Sequence, residues 1–146
     1  MKGAIDLETK QYLGQIHRLD RMIQNKLTEI YQLKTMVCSV TVSSDKERVQ
    51  TSGSKDKLGD MVSKIVDLES ETDELTDSFI EKRNRIISQI DKMENTDYYD
   101  VLSMRYIGKK TFEDISKTIH WSLRKTYMLH DKAILEFEKL YGSEYL

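Results

Sequence analysis

The chain has 146 residues, no proline, a single cysteine, and 23 lysines and arginines against 25 acids. That length allows one ordinary domain, or a small domain with an extended element. The missing proline leaves nothing to kink a helix, so an all-α fold is expected. The near-cancelling charge excludes a generic polyanion binder, and any nucleic-acid affinity must come from a local patch.

Cys38 alone excludes an internal disulfide and fits a reducing compartment. The opening residues, from Met1 to Glu8, place acids where a signal peptide needs an apolar core, and no run reaches the length of a membrane span. A cytoplasmic location without a membrane partner is expected.

From about Leu7 to Val37 the apolar spacing is helical and close to heptad. Ile16, Ile23, Ile30 and Val37 fall seven apart, interleaved with Leu13 and Leu27. A lone helix of this kind buries too little to be stable, so its stripe must face a partner, within the chain or in another copy. Leu19, Met22, Leu33 and Met36 widen the stripe, which favours three or more helices in contact.

Residues 38–57, rich in serine and threonine, are expected to form a loop. The plain reading is a connector; the functional one makes Arg48, Lys55 and Lys57 a second phosphate or partner contact. A second long helix is predicted from about Lys55 to Met93. Leu58, Ile65, Phe79, Ile86 and Met93 hold one frame and Met61, Leu68 and Leu75 the other, with polar Thr72 filling a gap in the first. Reaching on the order of 60 Å, it can pair antiparallel with the first helix as a long hairpin. Polar Asp20, Lys34 and Thr72 on the seams cost stability but can fix register or oligomer state. Self-association is expected through Ile16, Ile23, Ile30, Leu58, Ile65, Leu68, Leu75 and Phe79, giving a homodimer or higher homo-oligomer.

The expected organisation is an arm over residues 1–95 and a small domain over 96–146. Asn95, Thr96 and Asp97 close the arm and cap a third helix, which Gly108 ends as a C-cap glycine. Lys109 and Lys110 follow, placed as a phosphate clamp or as plain solvated lysines. Thr111, with Asp114 three residues on, approximates a capping box, and Phe112, Ile115 and Ile119 give the next helix one buried stripe. The turn falls at Ile119, His120 and Trp121, where His120 has to take a positive φ. Ser122 then caps a last helix that buries Thr126, Leu129, Ala133 and Phe137 and leaves Arg124, Lys125, Tyr127 and Met128 outward.

Two helices joined by a tight turn, the second opening on cations, make a helix-turn-helix. Such a recognition helix sets its first turns against base edges in the major groove. The candidate DNA-binding residues are Ser122, Arg124, Lys125, Tyr127, Met128, Lys109, Lys110 and Lys132. A helical hairpin with solvated cations is the plain alternative. Trp121 is expected to fill the space between the two helices; exposed, it could instead stack on a base.

The stretch from Val101 to Leu140 resembles region 4 of bacterial sigma factors. Arg105 and Tyr106 match that family's Arg-aromatic pair, Glu113-Asp114-Ile115 its acidic helix start and Ser122 its capped recognition helix, followed by Ala133 and Leu140. The likeness departs at His120, where the family usually carries glycine, and at Leu123 and Met128, where it usually carries polar base readers. The whole chain also resembles short proteins from prophages of Gram-positive bacteria, through the block from Glu47 to Lys57 and through Asp97-Tyr98-Tyr99-Asp100-Val101-Leu102. These are related in layout to the phage late-gene activators RinA and ArpU. The resemblance implies transcriptional control of phage genes.

No catalytic grouping stands out. His17, His120 and His130 lack partners at a recurring nucleophile-base spacing, no cluster has metal-ligand spacing, and the six glycines are dispersed rather than gathered in a phosphate loop. No enzyme activity, metal, cofactor or small-molecule substrate is expected. The expectation is a regulator binding double-stranded DNA, with the arm used for self-association or to meet a partner such as RNA polymerase. Two rivals are a packaging protein resembling a small terminase subunit, whose DNA-binding unit normally precedes its oligomerising helices, and a protein-only polymerase adaptor.

Overall fold

The computed structural model describes residues 2–46 and 52–146, with side chains from residue 6 to 40 and from 56 onward. The described residues are all-α and hold no strand. The elements are α1 (Lys2–Lys46), α2 (Ser52–Asp91), α3 (Thr96–Leu102), a π-helical turn (Ser103–Ile107), α4 (Phe112–Ile119) and α5 (Leu123–Tyr145).

α1 exceeds its expected bounds at both ends, while α2 starts three residues earlier than expected and ends two earlier, at Asp91. The loop expected over 38–57 is helical at 38–46 and at 52–57; residues 47–51, including Arg48, lie outside the described residues. The reason is visible one turn earlier, where hydroxyls that compete with the helix in a peptide instead bond back along it. Thr35 donates to the Tyr31 carbonyl at 2.9 Å and Ser39 to the Thr35 carbonyl at 3.1 Å. With no proline to interrupt it, α1 continues past Cys38, which is exposed.

The chain divides into two compact units, one of Leu19–Ser78 and one that joins the residues up to Arg18 to Phe79–Leu146. Within the first, Lys26 pairs with Glu71 at 3.3 Å, Glu29 with Lys64 at 3.7 Å and Lys34 with Glu69 at 2.8 Å. These pairs tie residues 26–34 of α1 to residues 64–71 of α2. These exposed pairs set register more than they stabilise. The apolar seam of Ile30, Ile65 and Leu68, flanked by Leu33 and Val37, holds the segments together. Thr72, buried on that seam, is satisfied because its hydroxyl donates to the Leu68 carbonyl at 2.6 Å.

The other unit has the larger core. Leu13 and Ile16 of α1 meet Ile86, Ile90 and Met93 at the end of α2, and Leu102, Tyr106, Ala133, Ile134 and Phe137 close over them. Its core thus draws residues from both sides of residue 95. The apolar faces of α3 and α5 need cover, and the ends of α1 and α2 supply it.

A chain of polar contacts finishes this unit. Tyr12 stacks on Tyr145 with centroids 4.2 Å apart, Thr9 and Tyr145 share a 2.9 Å hydrogen bond, and Tyr12 donates to Gln89 at 2.7 Å. Gln89 in turn donates to Glu144 at 2.7 Å. Burial pushes both the Tyr12 and Tyr145 hydroxyls above the usual tyrosine range. The C-terminal end of α5 is thereby fastened to α1 and α2.

Candidate nucleic-acid interface

The approach to α4 is built on one close contact. Asn95 caps α3, its Oδ1 accepting from the Asp97 and Tyr98 amides at 3.0 and 3.2 Å. The π-helical turn then brings the Gly108 amide onto the Ser103 carbonyl at 2.9 Å. Gly108 does not take the left-handed conformation expected of a C-cap glycine; its φ is −80° and Lys109 takes φ 56° instead. Glycine is needed there for space, since a Cβ would stand 2.9 Å from the Met104 carbonyl oxygen. Arg105 braces the loop that follows, donating to the Lys110 carbonyl at 3.1 Å and lying 4.3 Å over the Phe112 ring.

Thr111 caps α4, its hydroxyl accepting from the Asp114 amide at 3.2 Å, and Ile115 is fully buried beneath it. His120 ends α4 in the left-handed region, with φ 59° and ψ 35°. The Trp121 amide then reaches back to the Ser116 carbonyl at 3.1 Å. Ser122 caps α5 by accepting from the Lys125 amide at 3.1 Å, while the Thr126 hydroxyl bonds the Ser122 carbonyl at 2.9 Å. Two short caps around one left-handed residue thus set the direction of α5.

The inner face of α5 carries Thr126, His130, Ala133, Ile134 and Phe137, all buried. Leu129, expected on that face, is half-buried, and His130 takes the inner position. The Tyr106 hydroxyl meets His130 Nε2 at 2.8 Å, and Phe112 stands edge-on to the imidazole at 5.0 Å. Burial holds the His130 pKa down at about 4 and pushes the Tyr106 hydroxyl up to about 12. Asp131, 3.8 Å from His130 Nδ1, favours the charged imidazole but is itself exposed, so desolvation wins and the ring stays neutral near pH 7. Sequence distance hid this pairing, because the partner of His130 lies 24 residues upstream.

The outward face follows from the same rotation. Ser122, Arg124, Lys125, Tyr127, Met128 and Lys132 are all exposed. Arg124 and Met128, four residues apart, lie one above the other opposite the buried stripe. Two of the flanking residues are engaged within the chain: Tyr127 packs on Phe112 with centroids 4.6 Å apart, and the Lys125 ammonium sits 3.1 Å over the Trp121 ring. Trp121 itself is 40% exposed, which corrects the expectation that it fills the interhelical space. Ile115 and Phe112 already occupy that space. Lys109 and Lys110 are exposed in the loop before α4, separated from Ser122 by the length of α4, roughly 12 Å.

Of the residues expected to drive self-association, Ile16, Ile23, Ile30, Ile65 and Leu68 are buried against the chain's own helices, while Leu58, Leu75 and Phe79 are half-buried. Among the described residues no group of three or more histidines, cysteines or acids could hold a metal ion, and no helix is long and apolar enough to cross a membrane.

Charge is distributed unevenly. From Arg105 to Lys132 there are seven lysines and arginines against three acids, whereas the rest of the chain has sixteen against twenty-two. Fold and site together define an all-α protein with an exposed, cation-bearing helical turn at the head of its last helix. Residues 36–138 match the model of the family described as Protein of unknown function (DUF1492), and the chain belongs to that family. No curated protein and no solved structure matches it.

Proposed function

We propose that this protein is a DNA-binding transcriptional regulator of phage genes that sets α5 in the major groove through a sigma region-4-like helix-turn-helix. The observation that carries the reading is the first turns of α5. Arg124 and Met128 face outward, Lys125 and Lys132 flank them, and the opposite side of the helix is locked into a core. A rigid helix with a cationic opening is what groove entry requires. The left-handed residue at the turn and the serine cap that follows support the same geometry, as does the likeness to the sigma and RinA/ArpU layouts. The arm of α1 and α2 serves self-association or contact with RNA polymerase.

The test is duplex binding by the full chain across a salt series. If about five cations reach phosphates, the logarithmic slope is about −4 to −5. Replacing Arg124 and Lys125 together with alanine should weaken binding and flatten that slope; unchanged binding to the protein's own promoter region removes the reading. Exposed Trp121, Leu123 and Met128 favour a second reading, a protein-only polymerase adaptor. An adaptor gives no shift of random duplex even at low salt. A packaging ring is separated from a regulatory dimer by the mass in solution.

A further inference from the structure

Resting on the DNA-binding reading, we infer that Met128 reads the C5 methyl group of thymine, so that the target duplex carries a thymine next to the base pair contacted by Arg124. Met128 is 50% exposed and sits at the middle of the outward face of α5, on the far side from Thr126, His130, Ala133 and Phe137. Arg124 stands one turn nearer the N-terminus on the same face. The two are separated by about 6 Å along the helix axis, on the order of one or two base-pair steps at 3.4 Å each.

The chemistry of the face separates the two roles. Arg124 offers a planar fork of donors that suits the O6 and N7 acceptors of guanine. Met128 has no donor, and its thioether is only a weak acceptor, so it cannot read a base by strong hydrogen bonds. In the major groove the one apolar group on offer is the thymine methyl, and an unbranched, polarizable side chain can close on it. The positive balance between Arg105 and Lys132 supplies the attraction that brings the face against a polyanion. Asp131, three residues after Met128 and exposed, repels phosphate and lowers the affinity that the cations provide without changing which base group Met128 can meet.

The experiment uses the full chain and a duplex selected by it from a random library. Each thymine is replaced in turn by deoxyuridine, which deletes only the methyl, and affinity is read by fluorescence anisotropy. At one or two positions the substitution should weaken binding about fourfold, the value of one buried methyl-sized group. In Met128→Ala the same substitutions should have no effect. Because Met128 is at the surface, that variant keeps its fold, which its helical circular dichroism verifies. Uridine indistinguishable from thymine everywhere, or a loss that persists undiminished in Met128→Ala, overturns the inference while leaving duplex binding intact. Failure to enrich any duplex overturns the DNA-binding reading and this inference with it.

Discussion

The Tyr106 hydroxyl lies 2.8 Å from His130 Nε2, joining the π-helical turn to the inner face of α5. With the imidazole neutral and its proton on Nδ1, the nitrogen 3.8 Å from the Asp131 carboxylate, the phenol donates and Nε2 accepts. Removing the donor in Tyr106→Phe leaves a buried nitrogen without a partner, and a loss of about 1–3 kcal/mol is expected in urea denaturation. A midpoint equal to that of the parent chain would show the pair to be energetically idle.

The same histidine makes stability depend on acid. Its pKa is about 4 in the folded chain and 6.5 when free, so between those values the unfolded chain binds the extra proton. The contribution of His130 is complete above pH 6.5 and is lost as pH falls towards 4, amounting to on the order of 3 kcal/mol across the window. Denaturation midpoints at pH 7, 5.5 and 4.5 should fall less steeply in His130→Gln, which keeps an acceptor but does not titrate. Parallel curves would refute the assignment.

Two turn residues are expected to respond in opposite directions. Gly108→Ala drives a Cβ against the Met104 carbonyl oxygen and should destabilise by about 1–3 kcal/mol, although its φ suits any residue. His120→Gly relieves a left-handed residue with a side chain, and should be neutral to stabilising by up to about 1 kcal/mol. Thermal unfolding of both variants checks the pair.

Trp121, the sole tryptophan, is expected to be an energetically minor residue and an optically useful one. Half-exposed under Lys125, it should cost less than about 1 kcal/mol on replacement by alanine, where a core tryptophan costs about 3–5 kcal/mol. Its emission should lie towards the red before any ligand is added, and change when duplex binds the neighbouring turn. A blue-shifted spectrum would place it back in the core.

The all-α class was legible because apolar spacing and the missing proline act locally, and so were the caps at Asn95, Thr111 and Ser122, where side chain and amide are two or three residues apart. The left-handed turn at His120 was legible for the same reason. Where long-range packing decides, the residues said less. Leu13 and Ile16 show a heptad stripe but not that Phe137 covers it, and His130 shows nothing of Tyr106. The serine-rich stretch after Val37 misled because composition alone does not reveal that a hydroxyl can bond back along a continuing helix. Trp121 misled because size suggested core while its position beside the cap turns it outward.

The pairing of Thr9 with Tyr145 joins residues made at opposite times. At ribosomal rates of about 5–20 residues per second, the 136 positions between them take roughly 7 to 27 seconds to polymerise. Until Phe137 is made, Leu13 and Ile16 lack the cover that it later provides. A chain cut short upstream of α5 therefore loses Ala133, Ile134 and Phe137 and leaves the stripe of Leu13 and Ile16 bare on that side.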